Sequence, residues 1–257
     1  MEKVNQISHF DGQWQQLIIN DGKGNIVDTQ VVHQLIQLLE EFKYRPEIKV
    51  ISIEGAGKNF SYGASVEEHK KEKSYEMIKT FHQLFYKFLD TSIPTIAKVS
   101  GFCLGGGMEL SLICNLIFAD KSAKFGQPEI NLGVFAPPAS IILPEKIGLS
   151  RAEQLLLTGE IIGADDAFRL GIANKVFENK EELDKGTEEY IATQFLTKSA
   201  LSLRYAVKAS RVKFSHVLRN FLPSLENLYL IDLMESKDAN EGIHSFLEKR
   251  KPVWTNQ

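Results

Sequence analysis

Apolar positions along the chain switch between two periods. QQLIIN (15–20) reads as a short strand, and KVISIEG (49–55) as a second, almost wholly apolar one closed by glycine. Between them, VVHQLIQLLEEF places Val31, Leu35, Leu38, Leu39 and Phe42 on one helical face, with Asp28 positioned to cap the first turn. YEMIKTFHQLFYKFLDTSIP is again a helix pattern, predicted to stop before Pro94. TIAKVSG, GGMELSLICN and LIFAD then add a strand, a helix and a strand. This alternation predicts an α/β fold of βαβ units, with parallel strands under helices and right-handed crossovers. From about residue 195 the pattern is helical only. The expected division is therefore an α/β core over 1–194 and a helical region over 195–257. KEELDKGTEEY is a charge run expected on a solvated helix face.

Composition narrows the picture. The chain has 257 residues and a formal net charge of −3, so it carries no overall pull towards nucleic acid or an anionic membrane. Its two cysteines, Cys103 and Cys114, make no metal spacing with histidines and read as free thiols in a reducing compartment. No apolar run is long enough to span a bilayer, and MEKVNQISHFDGQWQQ has the pattern of neither a signal nor a transit peptide. A cytoplasmic location is expected.

Two glycine-rich stretches invite functional readings. GAGKNF (55–60) fails as a dinucleotide fingerprint because Phe60 stands where the third glycine is needed. It fails as a P-loop because Asn59 follows Lys58 and Ser52 holds the earlier glycine position. CLGGGMEL (103–110) fares better. It follows a strand and opens a helix whose first N–H groups are free and lie at the positive end of the helix dipole. Such a terminus suits a developing oxyanion. Glu109 is the lone charge in an otherwise apolar run, and AKFGQPEINLG supplies a second isolated carboxylate, Glu129, just after Pro128. Two carboxyls in apolar surroundings suit general acid/base chemistry, since burial and like charge both raise a carboxyl pKa. The plainer reading is a tight helix–strand contact with Glu109 exposed or capping.

These stretches, together with GAGKNFSYGAS, LTGEIIGADDAFRLGIANKVF and the terminal EGIHSFLEKRKP, resemble the enoyl-CoA hydratase/isomerase (crotonase) family over nearly the whole length. The resemblance implies a crotonase-like ββα spiral core with a C-terminal helical trimerisation region. It implies an acyl-CoA thioester as substrate, no further cofactor and no metal. It places the oxyanion hole at the N–H groups of Ala64 and Gly106, and the two acid/base glutamates at Glu109 and Glu129 with one water between them. Lys249 matches a basic residue that contacts a coenzyme A phosphate. A homotrimer or a dimer of trimers is implied, and the stripe Leu222, Leu225, Leu228 and Tyr229 is expected to carry subunit contacts.

The chain departs from common members after EINLG. VFAPPASIILPEKIG stands where a glycine-rich loop is usual. Pro137 and Pro138 stiffen it and delete two N–H donors. Phe135, Pro137 and Pro138 are therefore expected to wall the acyl pocket and to favour a compact, rigid acyl group. FSYGASVEEH and LGVFAPPAS together resemble the hydratases of cyclohexa-1,5-diene-1-carbonyl-CoA, which act in anaerobic aromatic degradation. His69 and Glu67 or Glu68 lie near the expected acyl entrance, and the plainer reading makes them surface residues. The competing readings are an ordinary short-chain enoyl-CoA hydratase, a double-bond isomerase, and a non-catalytic RNA-binding or scaffold member. The last is disfavoured by the absence of a basic stripe and by the intact glutamate pair.

Overall fold

The computed structural model describes residues 2–257. Its larger sheet has six strands: β1 (Val4–His9), β2 (Trp14–Ile19), β3 (Val50–Gly55), β4 (Thr95–Val99), β6 (Leu116–Asp120) and β9 (Lys175–Phe177), side by side in that order. Only β1 runs antiparallel to its neighbour. A smaller sheet joins β5 (Phe102–Leu104), β7 (Lys124–Gly126) and β8 (Ile161–Gly163). β1 escapes the hydrophobic pattern because it is an edge strand that buries only Val4. β5, β8 and β9 escape it because three residues are too few to show a period.

Helix α1 (Thr29–Lys43) forms where the pattern places it, and the Asp28 carboxylate accepts from the Val31 N–H at 3.0 Å. α2 (Lys71–Thr91) ends in a left-handed Ser92, ahead of Pro94. Leu35, Leu39 and Phe42 of α1 share one apolar cluster with Phe85 and Phe88 of α2 and with Ile51 and Ile53 of β3. The remaining helices are α3 (Gly106–Ile113), α4 (Pro137–Ile147), α5 (Leu149–Thr158), α6 (Ala164–Leu170), α7 (Lys180–Gln194), α8 (Ala200–Ser210), α9 (Val212–Asn227) and α10 (Lys237–Leu247). α7 holds the charge run, yet it buries Leu183 and Ile191 against Trp14, Val50, Ile96 and Phe118. The large sheet is thus covered on both faces, which accounts for the unbroken burial of β3 and β4.

The C-terminal helices close on the core. Leu218 and Leu222 of α9 enter the same cluster as α1 and α2. Arg211 donates to the Ile113 carbonyl at 2.7 Å and Arg204 to the Arg45 carbonyl at 2.7 Å. Of the stripe read as subunit-contacting, Leu222 and Tyr229 are consumed by the chain's own interior, whereas Leu228 stays exposed. A six-residue π-helix, Leu228–Leu233, extends α9, and Tyr229 within it is buried. α10 lies so close to the short 3-10 turn Pro128–Leu132 that a Cβ on Gly242 would fall 2.0 Å from the Leu132 carbonyl oxygen.

Candidate active site

Each of the three glycines between β5 and α3 meets a different steric demand. Gly105 has φ +50°, and a Cβ there would lie 2.6 Å from Glu129 Oε1. On Gly106 a Cβ would stand 3.1 Å from the Ala64 nitrogen, and on Gly107 it would strike Ser61. Side chains at these positions would push apart the two chain segments that build the site. Those segments are held by backbone bonds from Ser61 N–H to the Phe102 carbonyl (2.9 Å) and from Leu104 N–H to the Ser61 carbonyl (3.0 Å). Gly63, at φ +115°, then turns the chain so that Ala64 comes beside Gly106. The N–H groups of Ala64 and Gly106 find no acceptor among the described residues, as an oxyanion hole requires.

Glu109 sits in the first turn of α3 and is buried, 4% exposed. Its Oε1 accepts from the Ala139 N–H at 2.9 Å. The prolines decide this contact. Pro137 and Pro138 open α4 without N–H groups, so Ala139 carries the first backbone donor of that helix. Glu129, in the turn after β7, is half-buried against Gly105. The side-chain amide of Gln127 faces it, and with the amide nitrogen on that side it would donate to the two Glu129 oxygens at 3.2 and 3.0 Å. Burial, and then the charge of Glu129, push the Glu109 carboxyl well above the usual range, against the pull of the Ala139 N–H. Burial lifts Glu129 to about 7, against a bond to its own backbone. Both carboxyls are thus held towards the protonated form, and as pH rises through about 7 the pair loses one of its two protons, leaving one proton and one negative charge. That is the state in which one carboxyl can take a proton and the other give one.

Both glutamates open onto a cavity of about 70 Å³ walled by Ala64, Gly106, Phe135 and Pro137. A larger, mostly apolar groove of about 670 Å³ adjoins it, sharing Tyr62, Ala64, Val66, Pro128 and Leu132, and runs out to Phe246 and Arg250. Among the residues marked by sequence, Ala64, Gly106, Glu109, Glu129, Phe135 and Pro137 come together here. Pro138 does not: it is buried in the first turn of α4, behind the wall that Pro137 presents. Lys249 is exposed and lines neither cavity nor groove; the next residue, Arg250, reaches the groove, held by Glu241 and Glu248. His69, read as a surface residue, lines the cavity with its Nδ1 2.7 Å from the Ser65 carbonyl. Two further lining residues were not read as site residues: His82 was not singled out, and Tyr229 was expected at a subunit contact. The available signal was a histidine on the apolar face of α2, between Ile78 and Phe85.

The enoyl-CoA hydratase/isomerase family model matches residues 16–257, and the chain belongs to that family. It is an acyl-CoA hydratase, a hydro-lyase. The chain is 40% identical over 248 residues to the cyclohexa-1,5-dienecarbonyl-CoA hydratase of Thauera aromatica, covering 96% of this chain and 95% of that one. It is 28% identical over 257 residues to the short-chain-enoyl-CoA hydratase of Clostridium acetobutylicum, covering 98% and 97%. An enoyl-CoA hydratase structure from Mycobacterium avium subsp. paratuberculosis superposes with a TM-score of 0.87 at 24% identity, over 99% of both chains, and so shares the fold.

Proposed function

We propose that the protein adds water to a ring double bond of cyclohexa-1,5-diene-1-carbonyl-CoA, giving 6-hydroxycyclohex-1-ene-1-carbonyl-CoA, in anaerobic benzoyl-CoA degradation. One observation carries the reading: two facing carboxyls, Glu109 buried and Glu129 half-buried, beside two free N–H groups, in a compact cavity walled by Phe135 and Pro137. The likeness to the Thauera protein supports the ring substrate. In this reading the N–H groups of Ala64 and Gly106 hold the thioester oxygen while negative charge builds on it. The ionised carboxyl takes a proton from a water, whose oxygen bonds to one ring carbon. The protonated carboxyl gives its proton to another ring carbon. Water is consumed whole and the pair ends with one proton, as it began, so the reaction as written calls for no metal or organic cofactor.

The rigid wall is what favours a ring. A flat ring enters a preformed pocket with little ordering cost, whereas a linear chain loses rotamer freedom and leaves wall uncovered. Each unfilled methylene is worth about 1–3 kcal/mol, or roughly 10–200-fold. Turnover of the cyclic dienoyl-CoA should exceed that of crotonyl-CoA by at least one such step in kcat/KM. Faster turnover of crotonyl-CoA would replace this reading with that of a general short-chain enoyl-CoA hydratase, which the Clostridium likeness favours. Self-assembly into a trimer or a dimer of trimers belongs to the same reading, supported by exposed Phe221, Leu228 and Ile231 along α9 and its extension. A monomer by light scattering at micromolar concentration would overturn it.

A further inference from the structure

Glu129 is carried by the short 3-10 turn Pro128–Leu132, which Gly133 closes at φ +69°. The Gly133 N–H donates to the Ile130 carbonyl at 3.1 Å and the Val134 N–H to the Glu129 carbonyl at 3.2 Å, so the backbone of the glutamate is tied to the end of its turn. Two groups close on that end. A Cβ on Gly133 would lie 2.9 Å from the Asp238 carbonyl oxygen and 3.2 Å from Cζ3 of the Trp254 ring. Gly133 is thus held between the first turn of α10 and an indole. Trp254 lines neither the acyl cavity nor the groove beside it, so it can act on the chemistry only through the turn. It is also 43% exposed, so its removal opens no void in the core.

The indole is fastened from both sides along the chain. Residues 253–257 run back along α10 as a strap. The Val253 N–H donates to Glu241 Oε1 at 2.8 Å, the Thr255 and Asn256 N–H groups donate to the two Asp238 oxygens at 2.7 and 2.8 Å, and the Lys237 N–H donates to the Gln257 carbonyl at 2.8 Å. The Thr255 N–H holds Asp238 below its ordinary value, and the Arg250 bond holds Glu241 down to about 2. The strap therefore keeps its bonds across the range in which the glutamate pair titrates. Around the pair, the Tyr229 phenol is pushed up by burial and stays neutral, while His69 and His82 are pushed down by burial. Glu129 owes its raised value to burial, and a carboxyl raised in this way falls back when the groups packed around it loosen.

We propose that Trp254 is a positioning residue for the hydration: strapped to α10 through Asp238 and Glu241, it presses on Gly133 and fixes the turn that holds Glu129 against Gly105. The proposal rests on the acid/base reading of Glu129. Its test is the pH profile of kcat for Trp254→Ala and Trp254→Phe, on the cyclic dienoyl-CoA or, if that is turned over more slowly, on crotonyl-CoA. In the unaltered protein kcat should rise with pH through about 7, where the pair sheds its first proton. Trp254→Ala should move that rise down towards the ordinary value of 4.5. It should also lower the plateau by about 10–100-fold with little change in KM, the cost of a small misplacement of a reacting group. Trp254→Phe keeps an aromatic ring at the position and should leave the rise close to 7. A merely structural role would scale the rate equally at every pH, so an unmoved rise in Trp254→Ala would overturn the proposal. So would an equal shift in Trp254→Phe. A changed assembly of Trp254→Ala by light scattering would place the indole at a subunit contact and overturn it too. Near-normal turnover by Glu129→Gln would instead overturn the acid/base reading, whatever the Trp254 variants show, so the two failures are distinct.

Discussion

Glu54 and Glu109 are the same residue type at nearly the same depth, 5% and 4% exposed, and their carboxyls move in opposite directions. Glu54 lies in β3 with Lys98 at 2.7 Å and Lys180 at 2.7 Å, and Asp184 completes the network on the Lys98 and Lys180 amines. Burial alone would raise Glu54, but the Lys98 charge and the two lysine hydrogen bonds outweigh it and hold the group below its ordinary value. Glu109 has one backbone N–H and a second carboxyl for company, and is pushed up. Burial therefore says little about a carboxyl's role. The charge that is buried with it decides whether it is a structural anion or a proton-transfer group.

Substitution at the two places should separate rate from stability. Glu109→Gln and Glu129→Gln should each lower kcat by about 10²–10⁴, with little change in binding of a CoA thioester. A glutamine at 109 can still accept from the Ala139 N–H, so the substitution should not lower folding stability. Near-normal turnover of either variant, measured on the cyclic dienoyl-CoA, would reduce that glutamate to a structural part.

Glu54→Gln should do the opposite. It leaves Lys98, 3% exposed at its side chain, facing a neutral amide, and should cost about 3 kcal/mol by denaturant unfolding while kcat changes little. A stability loss well under 1 kcal/mol would mean that Asp184 alone satisfies Lys98 and that the contrast drawn above is weaker than the geometry implies.

The pH dependence of stability should show the same opposition. Glu129 binds its proton more tightly in the folded chain than in the unfolded one. Its contribution is full below its ordinary value of 4.5 and is lost as pH rises through about 7. Glu54, with a depressed value, contributes above the ordinary carboxyl range and loses that contribution as pH falls through its folded value. Unfolding curves at several pH values should therefore show Glu129→Gln gaining on the unaltered chain as pH rises from about 4.5 to 7, by up to about 3 kcal/mol. A flat difference across that window would argue against the raised carboxyl. The smallest effect is expected at Lys249. Removing its exposed side chain with Lys249→Ala should raise KM for a CoA thioester a few-fold at most, with kcat unchanged; a large loss of kcat would place it in the chemistry.

Much of the fold was legible because its signals are local. The 3.6-residue period of α1, its Asp28 cap, the stop of α2 before Pro94 and the apolar runs of β3 and β4 each depend on residues within a few positions of one another. Gly105 to Gly107 and the two isolated glutamates also stood out locally, because a glycine run and a lone charge break the surrounding pattern. The strands of three residues did not stand out, since so short a stretch carries no period.

What the sequence determined by itself was where backbone freedom and isolated carboxyls occur; what only the tertiary structure decided was what each of them faces. Glu109 meets Ala139 across 30 residues of sequence, and His82 meets Glu226 across 144. Nothing within either helix announces such a partner. Tyr229 looked like part of an outward apolar stripe, but it is buried, seven residues beyond Leu222 on the inward side of α9 and its extension. Glu54 and Glu109 both sit in largely apolar stretches, KVISIEG and GGMELSLICN. The lysines that quiet Glu54 come from β4 and from the start of α7, while the neighbour that Glu109 receives from the turn after β7 is another acid. Hydrophobic period and turn chemistry act over a few residues, whereas desolvation and charge depend on everything packed within a few ångströms, and only the folded chain brings those groups together.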